Sequence, residues 1–287
     1  MHGLRLVIGS KNASSWSLRP WLLLKEIGLA FEEVVVPLRR PDTTTRILAH
    51  SPSGKVPVLI VGDLRIWDSL AIAEFLAEHE PSLWPAEPRA RALARSISAE
   101  MHSGFQALRT FLPMDFAARF DPPGRLLAPV QADVARILEI WTECRLRHGR
   151  AGPFLFGTFT IADAMFAPVC SRFATHAVPI DPLSQAYVDH VMALPAMLEW
   201  GRAAAAEVGT PRPMVAPAGP EPGRPRQPSP EFAGEPPDEE AGGDVVEEPW
   251  PGSRPWLPEP MPSPEPESRP VPRVVHPPAS PAAPVPA

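Results

Sequence analysis

The chain has 287 residues, 42 of them proline, and a formal net charge of −6, which allows about two domains of ordinary size. Proline and charge are unevenly placed: 25 prolines lie from residue 209 onward, where 6 Lys+Arg face 12 Asp+Glu, whereas residues 1–208 carry 21 of each sign. A neutral body offers no general electrostatic footprint for nucleic acid or an anionic membrane surface. No apolar run approaches the roughly 20 residues of a membrane span. Cys144 and Cys170, the two cysteines, lack CxxC spacing and are expected to be small core residues rather than zinc ligands or a disulfide, in a reducing, cytoplasmic location.

Leu4-Arg5-Leu6-Val7-Ile8 predicts a buried strand ending at Gly9-Ser10. A helix over Ser17 to Ile27 is expected next, with Leu18, Trp21, Leu22 and Leu24 on its apolar face, Pro20 in its first turn and Gly28 ending it. Phe31 to Val36 reads as a second strand, parallel to the first because a helix connects them. Residues 39–53 are irregular and polar, with room for one short helix. The apolar runs 56–61 and 64–67, joined by Gly62-Asp63, predict a hairpin. Asp68 or Ser69 can then cap a helix carrying Leu70, Ile72, Ala73, Leu76 and Ala77.

Pro81, Pro85 and Pro88 mark a linker, after which strand patterns disappear. A long helix is expected over Ala90 to Leu112, and a second from Val130, Val134, Ile137, Leu138 and Trp141, spaced as one helical face. Thr160-Ile161-Ala162-Asp163 has capping-box spacing, with Asp in place of the commoner Glu or Gln. Shorter helices are expected over 183–192 and 195–207. These elements predict an α/β thioredoxin-like domain over 1–82 and an all-α domain over 88–208. Residues 209–287, rich in proline and acid, are expected to be a disordered extension. Spacings such as Pro222-x-x-Pro225-x-x-Pro228 also permit a partner that reads polyproline. A shifted reading frame would give a similar composition.

Three motifs follow one another in the first domain: Ser14-Ser15-Trp16-Ser17-Leu18-Arg19-Pro20, then Gly54-Lys55-Val56-Pro57-Val58-Leu59, then Asp68-Ser69-Leu70. Each taken alone has an ordinary structural explanation, serines before an apolar helical run being common N-caps. In this order they resemble the N-terminal domain of cytosolic glutathione transferases. Ser-Ser-x-Ser-x-Arg is similar to the serine-type, zeta-like branch that includes maleylacetoacetate isomerases. Gly157-x-x-Thr160-Ile161-Ala162-Asp163 matches the family's capping signature in the helical domain. The resemblance covers about residues 4 to 207.

The resemblance implies glutathione as cosubstrate, a small apolar electrophile as second substrate, and a homodimer; charge, hydropathy and motif spacing point to no nucleic-acid, membrane or metal site. It implies that Ser14, or Ser15 beside it, stabilises the thiolate. Val56 would pair with the peptide backbone of glutathione through a cis bond to the structural Pro57. Lys55, Asp68 and Ser69 would hold its charged ends, and Thr160 and Asp163 would be structural. Trp16 stands where the zeta-like pattern has cysteine. A glutathione-dependent cis–trans isomerase and a noncatalytic glutathione-binding protein are the alternatives to a transferase. Met101, Phe105, Leu108, Phe111 and Leu112 are the expected apolar wall of the second-substrate site, and a lone His102 is read as packing.

Overall fold

The computed structural model describes residues 3–209. The first domain begins with β1 (Leu4–Gly9), α1 (Ser15–Glu26) and β2 (Phe31–Val36), followed by the short α2 (Thr43–Leu48). The strands β3 (Val58–Val61) and β4 (Leu64–Trp67) and the helix α3 (Ser69–His79) complete it. The sheet order is β2-β1-β3-β4, with β1 and β2 parallel and the other pairs antiparallel. This is the thioredoxin-like arrangement that the sequence predicts. Gly62, at φ 62°, supplies the left-handed residue of the two-residue β3–β4 turn. At the end of α1, Gly28 N–H donates to Lys25 O and Leu29 N–H to Leu24 O, a Schellman closure that needs the positive φ of Gly28.

Two local expectations are corrected. Helix α1 starts at Ser15 rather than Ser17, so Pro20 falls in the helix interior rather than its first turn, and the Trp16 carbonyl loses its helical partner. The single long helix expected over 90–112 is two helices, α4 (Pro88–Ser103) and α5 (Gln106–Phe111). They part at Gly104 and at Phe105, which adopts φ 59°. A Cβ at position 104 would lie 2.8 Å from the Glu100 carbonyl oxygen, so glycine alone permits the break. Arg109 then caps the open end of α4, its guanidinium donating to the carbonyls of Met101 and Gly104.

The helical domain continues with α6 (Ala128–His148), α7 (Ile161–Thr175), α8 (Pro182–Met192) and α9 (Pro195–Gly209). Helix α7 is buried along nearly its whole length and packs against α1, α4 and α8. At its start the Asp163 carboxylate accepts from Thr160 N–H (2.9 Å), Thr160 hydroxyl (3.0 Å), Leu155 N–H (3.0 Å) and Tyr187 hydroxyl (3.1 Å). Both cysteines are buried.

Helix α9 returns to the first domain. The Glu207 carboxylate accepts from the consecutive N–H groups of Lys11 (2.7 Å) and Asn12 (3.0 Å), and Trp200 Nε1 donates to Lys11 O. Lys11 itself is buried, paired with Glu33 at 2.8 Å and placed over the rings of Trp21 and Trp200. The disordered-extension reading of 209–287 falls outside the described residues, apart from Gly209 at the end of α9. No helix among the described residues is long and apolar enough to cross a membrane.

Candidate functional site

A cleft of about 600 Å³ is lined by Trp16 from α1, Ser53, Lys55, Val56 and Pro57 from the loop before β3, Trp67, Asp68 and Ser69 from the β4–α3 junction, and His102 from α4. This volume suits a small organic ligand. The Val56–Pro57 peptide bond in its wall is cis. Val56 is half-buried, Pro57 buried and Lys55 exposed. Lys55 N–H lies 3.3 Å from Ser53 Oγ.

At the β4–α3 junction the backbone of Asp68 takes φ 70° and ψ 146°, a region that costs a non-glycine residue about 1 to 3 kcal/mol. The distortion turns the chain into α3 while Asp68 Oδ1 accepts from Leu70 N–H at 2.8 Å. Its other oxygen is 3.3 Å from His102 Nε2. Ser69, at the first position of α3, is buried, and its Oγ has no hydrogen-bond partner. A buried hydroxyl at the positive end of an 11-residue helix is suited to an anionic oxygen.

Ser14 and Ser15 are placed differently from the expectation. Both are buried at the start of α1, and neither lines the cleft. The Ser14 hydroxyl donates inward to Ser17 Oγ at 2.7 Å, and Ser17 Oγ also accepts from Gly9 N–H. Ser15 Oγ accepts from Arg172 Nη2 at 3.2 Å. Between the α1 start and the helical domain three guanidiniums converge. Arg19 and Arg109 lie 4.4 and 4.6 Å from the Trp16 ring, and Arg172 reaches in from α7. Arg19 is 1% exposed, and both of its Nη atoms lack partners. Burial, followed by the charges of Arg109 and Arg172, lowers its pKa well below the usual arginine value. Burial and Arg109 likewise bring Arg172 down to about 10.

His102 is the residue that sequence reasoning set aside. Its pKa is lowered, first by burial and then by Arg19 and Arg109, against the pull of Asp68. Its Nε2 lies 3.3 Å from Asp68 Oδ2, and its Nδ1 is buried without a hydrogen-bond partner. It also packs edge-on against Trp16 at 5.1 Å. No sequence signal distinguished it, because its role depends on the approach of α4 to α3. The apolar wall expected on that side is absent from the cleft: Met101, Phe105, Leu108 and Leu112 are core residues, and Phe111 is 52% exposed. No group of three or more potential metal ligands occurs among the described residues.

Residues 13–79 match the family model for the glutathione S-transferase N-terminal domain, and residues 125–200 match the model for its C-terminal domain. A maleylacetoacetate isomerase of Mus musculus is 35% identical over 104 residues, 34% of this chain and 47% of that protein. A zeta-class glutathione S-transferase of Euphorbia esula is 29% identical over 168 residues, 57% of this chain and 74% of that protein. The chain spans about half the length of the first curated relatives it matches. Among solved structures, a glutathione transferase homolog from Burkholderia with bound glutathione superposes with a TM-score of 0.55 at 25% identity, covering 71% of this chain and 99% of that one. With a thioredoxin-like sheet, a helical domain and matches to both domain models in their proper order, the chain belongs to the glutathione S-transferase family.

Proposed function

We propose that the protein is a glutathione S-transferase that joins the thiolate of glutathione to a small electrophile. The observation that carries this reading is the junction of Asp68 and Ser69, where a carboxylate on a strained backbone and a buried, unpartnered hydroxyl line the same cleft as Lys55 and the cis Val56–Pro57 edge. Ser69 at the N-terminus of α3 takes the γ-glutamyl carboxylate, and Asp68 balances the ammonium group beside it. Val56 offers its backbone to the cysteinyl residue as a short added strand. Lys55 pairs with the remaining carboxylate. Domain limits of 1–82 and 88–208 and a homodimer go with this reading.

The thiol has a reference pKa of about 8.5, and each unit of depression needs about 1.4 kcal/mol of preference for thiolate. A serine hydroxyl near the start of α1, aided by that helix end, is sufficient for one or two units. The thiol proton leaves to solvent. The sulfur lone pair then forms the C–S bond, and a leaving group departs with its electron pair.

A second reading, cis–trans isomerisation of a conjugated dienone acid, is favoured by the convergence of Arg19, Arg109 and Arg172, which suits a carboxylated substrate. There the thiolate adds reversibly to the double bond, rotation follows, and elimination returns the thiol. A calorimetric glutathione titration followed by a panel of apolar electrophiles and one cis-dienone acid tests both. Binding with conjugate formation supports the transferase, turnover of the acid alone supports the isomerase, and binding without either supports a noncatalytic glutathione-binding protein.

A further inference from the structure

Asp68 is the only carboxylate among the described residues that line the cleft, and its two oxygens are differently engaged. Oδ1 accepts from Leu70 N–H at 2.8 Å and so caps α3. Oδ2 lies 3.3 Å from His102 Nε2, which arrives from the last turn of α4 in the helical domain. A ligand ammonium drawn to this carboxylate therefore meets a titratable ring at the same oxygen.

The surroundings of His102 oppose its charging. A histidine in the last turn of a helix is ordinarily stabilised as the cation by the free carbonyls there. Here Arg109 has taken them, its guanidinium donating to the carbonyls of Met101, His102 and Gly104. Burial works in the same direction, as do the charges of Arg19 on α1 and Arg109 on α5. A protonated ring also carries N–H at both nitrogens, and Nδ1 is buried with no acceptor. Asp68, at the start of α3, is the group that favours the cation. Lys55, before β3, is the remaining charged side chain of the cleft wall. The balance turns on Asp68: an ammonium that neutralises it removes the support for an imidazolium, and an imidazolium at Oδ2 repels an ammonium brought to the same place. These are one coupling seen from either side.

We propose that His102 is a positioning residue for the ammonium group of glutathione: the neutral ring leaves Asp68 Oδ2 to the ligand, and the protonated ring takes that oxygen itself. This assignment rests on the glutathione reading and gives that site a pH control. As pH falls through the range in which His102 charges, affinity falls, and each glutathione bound there displaces a proton to solvent. Above that range affinity is level. Glutathione itself is silent between about pH 5 and about pH 7, because its carboxyls titrate below about 4 and its ammonium and thiol above about 7.7.

The experiment is a calorimetric glutathione titration of the full chain at the two ends of that window, in buffers of different ionisation enthalpy so that released protons are counted. Binding is expected to be about three- to tenfold weaker at the acidic end, with proton release. His102→Gln is expected to bind equally at both ends, and Asp68→Asn to bind weakly and equally. Glutaryl-cysteinyl-glycine, which lacks the ammonium group, is expected to bind the unmodified protein no more weakly at the acidic end. Equal or tighter glutathione binding there, or an acid weakening that persists in His102→Gln or with the glutaryl analogue, overturns the assignment and leaves the glutathione reading standing. Absence of glutathione binding at the neutral end overturns both. Should His102→Gln fail to fold, the analogue on the unmodified protein decides.

Discussion

Helices α3 and α7 both open with a hydroxyl residue and an aspartate, and they use these parts in opposite ways. At α7 the Asp163 carboxylate accepts four hydrogen bonds from three segments, and every donor is protein. At α3 the Asp68 backbone is strained, its carboxylate is exposed, and the Ser69 hydroxyl is buried without a partner. A complete network stabilises the fold. An incomplete one carries a cost in stability, and it is here that the proposed glutathione would complete the hydrogen bonding.

Asp163→Ala should produce the largest effect on stability. It orphans Thr160, Leu155 and Tyr187 together, and the expected loss is about 3 to 5 kcal/mol, read as a lowered midpoint in chemical denaturation. The same carboxyl gives a pH signature. Burial, against its hydrogen bonds, raises its folded pKa to about 6, above the unfolded value of about 3.9. Between those values the folded state holds a proton that the unfolded state has released, so this group adds stability as pH falls from 6 toward 4 and loses it as pH rises through 6. Stability curves of the wild type and Asp163→Asn should diverge in slope within that window, and parallel curves would remove Asp163 as the source.

Ser69→Ala should do the reverse. Removing an unpartnered buried hydroxyl is expected to leave stability unchanged or raise it by up to about 1 kcal/mol. Loss of its bond to a carboxylate, worth about 1.5 to 3 kcal/mol, should weaken glutathione binding ten- to a hundredfold. Calorimetry on the variant checks this, and a destabilised variant with normal affinity would place Ser69 in the structural class with Thr160. Smaller still is Asp68→Gly. Glycine accepts φ 70° without strain and loses only a few tenths of a kcal/mol as an N-cap, so a net gain of about 1 kcal/mol is expected in thermal unfolding, with weaker glutathione affinity.

The legible parts of this molecule were those written in short stretches of chain. The alternation of β1, the Gly62-Asp63 turn, Gly28 after α1 and the spacing from Val130 to Trp141 each reflect local backbone physics, and the structure has these elements. The break at Gly104 was hidden because the apolar spacing continues across it, while the left-handed Phe105 is held by tertiary packing. The cleft was half legible. Lys55, Val56, Pro57, Asp68 and Ser69 line it, yet His102 and the Arg172–Ser15 bond arise only when α4 and α7 dock, and no spacing in the sequence encodes that. Ser14 and Ser15 were read as a pair because neighbours in sequence look alike; their hydrogen bonds set them apart.

The clasp of Glu207 on Lys11 and Asn12 bears on the order in which the protein is made. During synthesis the loop leading into α1 emerges nearly two hundred residues before the carboxylate that satisfies its N–H groups. Until α9 arrives, that loop presents water with two adjacent amides and a lysine whose tryptophan partner at position 200 does not yet exist. The loop before α1 therefore gains these partners only after nearly all of the helical domain has been made.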